Sequence, residues 1–128
     1  TRILQMKEYA VSIANAALEG MDNDGALFYE RAEELIKEKH WWPQAEAMVG
    51  LLNAYEVSGD AKYLQRSLNS WHFIKTKKKS PSGEWIWGVD ENGSKMNNYY
   101  KAGLWKCPYH NTRACIEVVE RINRFIKK

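Results

Sequence analysis

The sequence predicts an all-α fold that forms an arc of an α/α toroid, with short β-hairpins in its loops. Apolar residues recur at the spacing of a helix face in four stretches of the 128-residue chain. Turn residues join these stretches in two hairpin-like pairs. The loops are rich in aromatic residues, as six Trp and seven Tyr indicate. In a toroid of this kind, a complete ring of helices surrounds a central pocket. The four helices of this single domain would form only an arc of such a ring.

The first helix is expected over residues 3–18, and Gly20 can end it because glycine adopts the left-handed conformation at low cost. The sequence MDNDG (21–25) is typical of a turn. The following residues, ALFYE (26–30), predict a short strand. One or two helical turns are expected in RAEELIKEK (31–39).

The second and third helices are expected to form an αα-hairpin. Pro43 suits the first turn of the second helix, where its missing N–H costs nothing. Gly59 is expected to end this helix. Asp60 is expected to cap the third helix, over residues 61–75, because its carboxylate can accept the free N–H groups.

The remaining residues predict a β-hairpin and a last helix. Residues 84–87 form the expected first arm of the hairpin, and residues 91–93 its turn. The last helix is expected over about 110–126. Its inward face is expected to carry Ala114, Cys115, Val118, Val119, Ile122 and Phe125.

Composition and charge argue against several classes of function. A net charge of +3 is too small to indicate a nucleic-acid partner. The two cysteines show no CxxC or Cys/His spacing, which argues against a structural metal or a disulfide scaffold. No apolar run approaches a membrane span, and no signal peptide opens the chain. We expect a cytoplasmic protein and, because the chain begins in a helical pattern without Met, a piece of a longer one.

The segment KHWWPQAEAMVG (39–50) places two tryptophans at a helix start. At least one of Trp41 and Trp42 should be buried, and one interpretation of the pair is a hydrophobic staple at the helix start. The other is that one indole faces a pocket, where Glu46 would bind a ligand hydroxyl. The helix dipole also stabilises a carboxylate in this position, so Glu46 alone does not decide between them.

The segment KAGLWKCPYHNTRAC (101–115) combines an indole, an imidazole and a guanidinium. His110 is expected near a helix N-terminus, where the dipole favours the neutral imidazole that a general base requires. Arg113 lies one turn later on the same face and can anchor a hydroxyl or stabilise an oxyanion. The alternative is a capping histidine beside a salt-bridging arginine.

Three other features have structural interpretations. His40 is interpreted as a cap or a surface residue. His72 is expected at the polar edge of the core. The lysine-rich run KTKKK (75–79) is interpreted as a solvated helix end rather than a phosphate-binding patch, given the modest net charge.

The motifs together resemble the cellobiose 2-epimerase branch of the N-acylglucosamine 2-epimerase superfamily. The resemblance covers residues 25–119 and is most specific in KAGLWKCPYHN. It implies an (α/α)6 barrel, of which residues 1–128 would be a single partial domain, the C-terminal third. It also implies a cofactor-independent isomerase that inverts C2 of the reducing-end sugar of a β-1,4-linked disaccharide through a cis-enediol.

The resemblance also implies roles for individual residues. The family uses two histidines, one to remove the C2 proton and one to return a proton, and His110 matches the C-terminal one. The matching stretch lacks the second histidine, so we expect the isolated chain to be inactive. Its uncovered apolar faces are expected to cause self-association. The implied substrate-binding residues are Trp41 or Trp42 (with Trp42 preferred), Glu46, Trp105 and Arg113.

Alternative functions remain open from the sequence. An N-acylglucosamine 2-epimerase or a mannose-type isomerase would use the same scaffold. A non-catalytic carbohydrate-binding helical domain would need the aromatic residues but no base. A glycoside hydrolase ranks last, because it requires two facing carboxylates and Glu46 has no evident partner.

Overall fold

The computed structural model describes residues 1–127. Its helices are α1 (Arg2–Ala17), α2 (Trp41–Ser58), α3 (Ala61–Phe73) and α4 (Tyr109–Ile126), and α2 is the central one. Helix α2 contacts each of α1, α3 and α4. Ten of its residues are buried, which explains why its sequence is apolar on most sides rather than along one stripe.

The predicted hairpin of α2 and α3 is confirmed. Gly59 has a φ of 72°, in the left-handed region, and its N–H donates to the Tyr55 carbonyl over 2.8 Å. Asp60 Oδ1 then accepts from the backbone N–H of Lys62. A cap of this kind contributes about 1 kcal/mol. The pair of residues therefore ends one helix and starts the next within two positions.

The third helix ends two residues earlier than expected, at Phe73, and continues as a π-helical turn over Ile74–Lys78. This turn directs the Lys78 side chain into the protein, where it is fully buried. Its ammonium donates to the backbone carbonyls of Lys39 and Trp87. The interpretation of residues 75–79 as a solvated run is therefore wrong for Lys78.

The segment between α1 and α2 differs from the prediction. Residues 31–39 form no helical turn but include residues of three short strands, and only the last residue of 26–30 lies in a regular strand. The side chain of Gln44 explains part of this, because it accepts from the Leu27 N–H and donates to the Leu27 carbonyl, each over 2.8 Å. The antiparallel pair is β1 (Glu30–Arg31) with β2 (Leu35–Ile36).

The predicted hairpin arm at 84–87 is displaced. The regular strand is β4 (Gly88–Val89), which pairs with β3 (Lys39–His40). Within the expected arm, Trp85 makes only an isolated bridge. The turn that follows is confirmed near Gly93, whose φ is 79° and whose N–H donates to the Asp90 carbonyl over 3.0 Å. The β3–β4 pair thus joins two loops that are distant in sequence.

The predicted inward face of α4 is only partly correct. Ala114 is buried, and Cys115 and Val118 pack against the core. Val119, Ile122 and Phe125 are more than a third exposed, so the prediction is wrong for these three residues. They line an apolar groove, together with side chains of α2 and α3, that no other element of residues 1–127 fills.

Candidate functional site

The N-terminal ends of α2 and α4 bring four of the proposed site residues together. Nδ1 of His110 lies 2.9 Å from Oε1 of Glu46. Nη2 of Arg113 donates to the same oxygen. The ring centroids of Trp42 and His110 are 6.0 Å apart. Because each helix contributes residues from its first two turns, two segments far apart in sequence form one cluster.

The start of α2 is fixed by the β3–β4 pair. The backbone N–H of Trp41 donates to the Trp87 carbonyl over 2.9 Å. The Trp41 indole is buried, and its ring centroid lies 4.4 Å from that of Trp87. Trp41 thus belongs to the core, whereas the adjacent Trp42 is partly exposed beside His110. Of the two tryptophans, Trp42 is the one that is accessible beside His110, and its role in binding a sugar stays a prediction.

The start of α4 is held by a polar cluster around Glu84. Oε1 of Glu84 accepts from Asn111 Nδ2 over 3.0 Å and from Lys106 Nζ over 3.2 Å. Burial by itself raises the pKa of Glu84, but the hydrogen bonds from Trp85 N–H, Lys106 and Asn111 outweigh it and lower the pKa. The resulting carboxylate anchors the first turn of α4, which carries His110.

The His110–Glu46 contact favours one tautomer of the imidazole. A carboxylate facing Nδ1 favours the tautomer with the proton on Nδ1, which leaves the Nε2 lone pair free. Burial tends to raise the pKa of Glu46, but hydrogen bonds from Arg113 and His110 lower it overall. Glu46 is therefore ionised beside the His110 ring.

Arg113 lies between two carboxylates. Nη2 donates to Glu46, and Nη1 donates to Glu117 Oε2 over 2.9 Å. Of the roles that the sequence allows for Arg113, the geometry shows salt bridging.

His110 does not cap its own helix, since Pro108 occupies the N-cap position and α4 has no side-chain cap.

Trp105 lies apart from the other site residues. Its side chain is 75% exposed in the loop before α4. The aromatic contacts described for residues 1–127 join it neither to Trp42 nor to His110. Its role as a stacking residue stays a prediction.

The two other histidines differ from their sequence interpretations. His40 occupies the N-cap position of α2, but it is buried and its side chain makes no capping bond. Its ring stacks on Tyr29 at 3.9 Å, and Nε2 lies 2.7 Å from Glu38 Oε2. Burial lowers the pKa of His40 despite that carboxylate. His72 is exposed on α3, so its expected place at the edge of the core is wrong.

Tyr29 is a site residue that the sequence did not indicate. Its ring meets the Trp42 ring edge-on, with the ring centroids 6.4 Å apart, and it also stacks on His40. Only the fold of the 26–40 segment brings it there, and no spacing in the sequence indicates the contact.

Neither a metal centre nor a membrane-spanning helix is found in the part of the chain that the structure describes. Among residues 1–127, no three His, Cys, Asp or Glu side chains are grouped so that they could hold a metal ion. Within the same residues, no helix combines the length and apolarity needed to cross a membrane.

Comparison with known proteins identifies the family. The family model for N-acylglucosamine 2-epimerase (GlcNAc 2-epimerase) matches residues 4–114. The chain belongs to this family. It is 44% identical over 125 residues to a cellobiose 2-epimerase of Dictyoglomus turgidum and 40% identical over 121 residues to one of Bacteroides fragilis. These matches cover 94% and 91% of the chain but 31% of each relative.

A solved structure of a sugar epimerase from a ruminal bacterium superimposes with a TM-score of 0.86 at 38% identity. The match covers 91% of this chain and 31% of that one. The predicted fold class is therefore confirmed: the N-acylglucosamine 2-epimerase family member described here is an arc of an (α/α)6 barrel. Its place as the C-terminal third of such a barrel stays a prediction.

Proposed function

We propose that these residues supply one side of the active site of a sugar 2-epimerase that acts on the reducing end of a β-1,4-linked disaccharide such as cellobiose. The observation that carries the proposal is the His110–Glu46 contact of 2.9 Å beside the partly exposed Trp42. A histidine paired with a carboxylate is suited to general-base work near neutral pH. A flat indole binds the C–H face of a sugar without using its hydroxyl groups.

The proposed reaction is a proton transfer at C2 of the ring-opened sugar. Nε2 of His110 takes the C2 proton, and the electrons of that C–H bond form a C1–C2 double bond. The carbonyl π electrons move to the C1 oxygen, which takes a proton from solvent to give a cis-enediol and releases it again when the carbonyl re-forms. Return of a proton to the opposite face of C2 gives the epimer, and no redox cofactor is required. Glu46 stabilises the imidazolium in both directions.

The second base of this reaction is expected outside these residues. His40 is buried against Tyr29, and His72 is exposed on α3, so neither faces the Trp42–His110 cluster. We therefore expect the isolated 128-residue chain to show no C2 epimerisation. A cytoplasmic location likewise stays a prediction.

The isolated chain is also expected to self-associate. Helix α1 has one buried residue, Ala14, and exposes several large apolar side chains. The α4 side of the groove exposes Val119 and Ile122. Apolar surface of this extent favours association. Light scattering should give a mass above the monomer's 14.9 kDa, and a stable monomer at about 100 μM would contradict the expectation.

Two other activities fit the same scaffold, and a panel of sugars separates them. Cellobiose is favoured because the relatives with 40–44% identity are named cellobiose 2-epimerases. The complete gene product should convert cellobiose to its C2 epimer faster than it converts N-acetylglucosamine or mannose. Preference for either monosaccharide would assign the alternative isomerase. Binding without conversion of any sugar would support a carbohydrate-binding domain.

A further inference from the structure

A continuous series of ion pairs runs from the candidate site along the interface of α2 and α4. On α4, the participating side chains are spaced by three, four and four residues, which places them on one face of the helix. On α2, the carboxylates lie three turns apart. We call this series the charged ladder; it consists of His110, Glu46, Arg113, Glu117, Arg121 and Glu56.

Glu117 is the central member of the charged ladder. Its Oε2 accepts from Arg113 Nη1 over 2.9 Å. Its Oε1 accepts from Arg121 Nη2 over 2.7 Å and from Nε of the same residue over 3.3 Å. The carboxylate is therefore held in a fixed orientation by one arginine and in turn orients the other.

The end of the charged ladder farthest from His110 is its more buried end. The side chains of Arg121 and Glu56 are 16% and 19% exposed, compared with 34% for Arg113. Arg121 Nη1 donates to Glu56 Oε2 and, over 3.1 Å, to Asn53 Oδ1. Ion pairs that are shielded from water and form several hydrogen bonds hold their geometry better than isolated surface pairs. Arg121 is thus a fixed point from which Glu117 is aligned.

The exposed end of the charged ladder depends on this alignment. Arg113 has a long side chain, and one carboxylate alone would leave its rotamer loosely defined. With Glu117 on Nη1, the guanidinium presents Nη2 to Glu46, and Glu46 in turn contacts Nδ1 of His110. Within residues 1–127, Glu46 forms ion pairs with Arg113 and with His110.

We propose that Glu117 is a positioning residue for His110: it aligns Arg113, which fixes the Glu46 carboxylate and through it the imidazole. As a statement about catalysis, this inference rests on the proposed function. Glu117 touches no substrate in this account. Its effect is expected in the orientation of His110 and hence in turnover rather than in sugar binding.

The test compares Glu117→Gln with Glu120→Gln in the complete gene product. Glu120 lies on the same helix, is exposed, and makes no ion pair within residues 1–127. Glu117→Gln should lower kcat about tenfold with KM changed less than about twofold, because misorientation affects the reacting geometry more than binding. Glu120→Gln should leave both constants unchanged, and Glu117→Asp, which keeps the charge, should recover part of kcat. A Glu117→Gln enzyme indistinguishable from Glu120→Gln would overturn the inference.

A measurement independent of activity separates this inference from the proposed function. ¹⁵N NMR of labelled histidine reports the tautomer of His110. The wild type should show a single tautomer with the proton on Nδ1, and Glu117→Gln should show exchange with the other one. If every sugar fails to react but this difference is observed, the proposed function is wrong and the positioning role stands. If the tautomer is unchanged while the wild type is active, the positioning role is wrong.

Discussion

Replacing His110 by Asn in the complete gene product should lower kcat for C2 epimerisation by about 1,000-fold, the range expected when a general base is removed. Asparagine keeps a polar side chain of similar size near Glu46, so the cluster should remain folded. Sugar affinity should change by less than about threefold, because Trp42 is retained as the proposed stacking surface. Steady-state kinetics and calorimetric titration with cellobiose measure the two effects separately.

His72→Asn is the matched control for this substitution. His72 is exposed on α3, and within residues 1–127 its side chain makes no hydrogen bond or aromatic contact. Its replacement should leave turnover unchanged. Equal activity of the His110→Asn variant and the wild type would show that another group removes the proton.

Lys78→Met should remove a part of the protein's stability that depends on pH. The ammonium of Lys78 is fully buried, and its described hydrogen bonds go to two carbonyls. The charged groups that face it are the ammonium groups of Lys39 and Lys106, which are themselves paired with carboxylates. Burial, assisted by repulsion from these two cations, lowers the pKa of Lys78 to about 7.

The direction of the effect follows from the protons bound in each state. Below pH 7 both the folded and the unfolded chain carry the Lys78 proton, and the cost of burying the charge is fully present. Between pH 7 and about 10.4 only the unfolded chain binds it, so the free energy of unfolding rises with pH. The wild type should therefore gain about 2 kcal/mol relative to Lys78→Met between about pH 7.5 and 9.5.

Urea unfolding at these two pH values measures this difference. Lys77→Met, which removes an exposed neighbour, should show the same pH dependence as the wild type. Parallel profiles for the wild type and the Lys78→Met variant would show that Lys78 titrates at an ordinary pKa and that its burial carries no such cost.

The helices could be predicted from the sequence because their signals are local. Gly59 and Asp60 specify the end of α2 and the start of α3 by their own conformational and hydrogen-bonding preferences. The strands could not be predicted in the same way. The backbone at Leu27 is held by the Gln44 side chain, and β3 pairs with Gly88–Val89, almost fifty residues later. Such contacts leave no periodic pattern in the segment itself.

In the candidate site too, the sequence indicated individual residues but not the contacts between distant segments. Trp42, Glu46, His110 and Arg113 were indicated by their motifs, but the pairing of His110 with Glu46 spans 64 positions and required the fold. The burial of Lys78 could not be predicted, because it belongs to a run of lysines that suggests a solvated surface. Glu117 had a readable signal that the sequence analysis did not use, since the pattern Arg113, Glu117, Arg121 repeats every four residues.

Transfer of deuterium from solvent to C2 of the sugar tests the proposed role of His110 most directly. In D₂O, the wild-type complete gene product should return cellobiose and its epimer with one deuterium at C2, because the abstracted proton exchanges with solvent on an imidazole. The His110→Asn variant should incorporate about 1,000-fold more slowly. Epimer that forms with its original C2 hydrogen, or label that enters equally fast in the variant, would contradict the account.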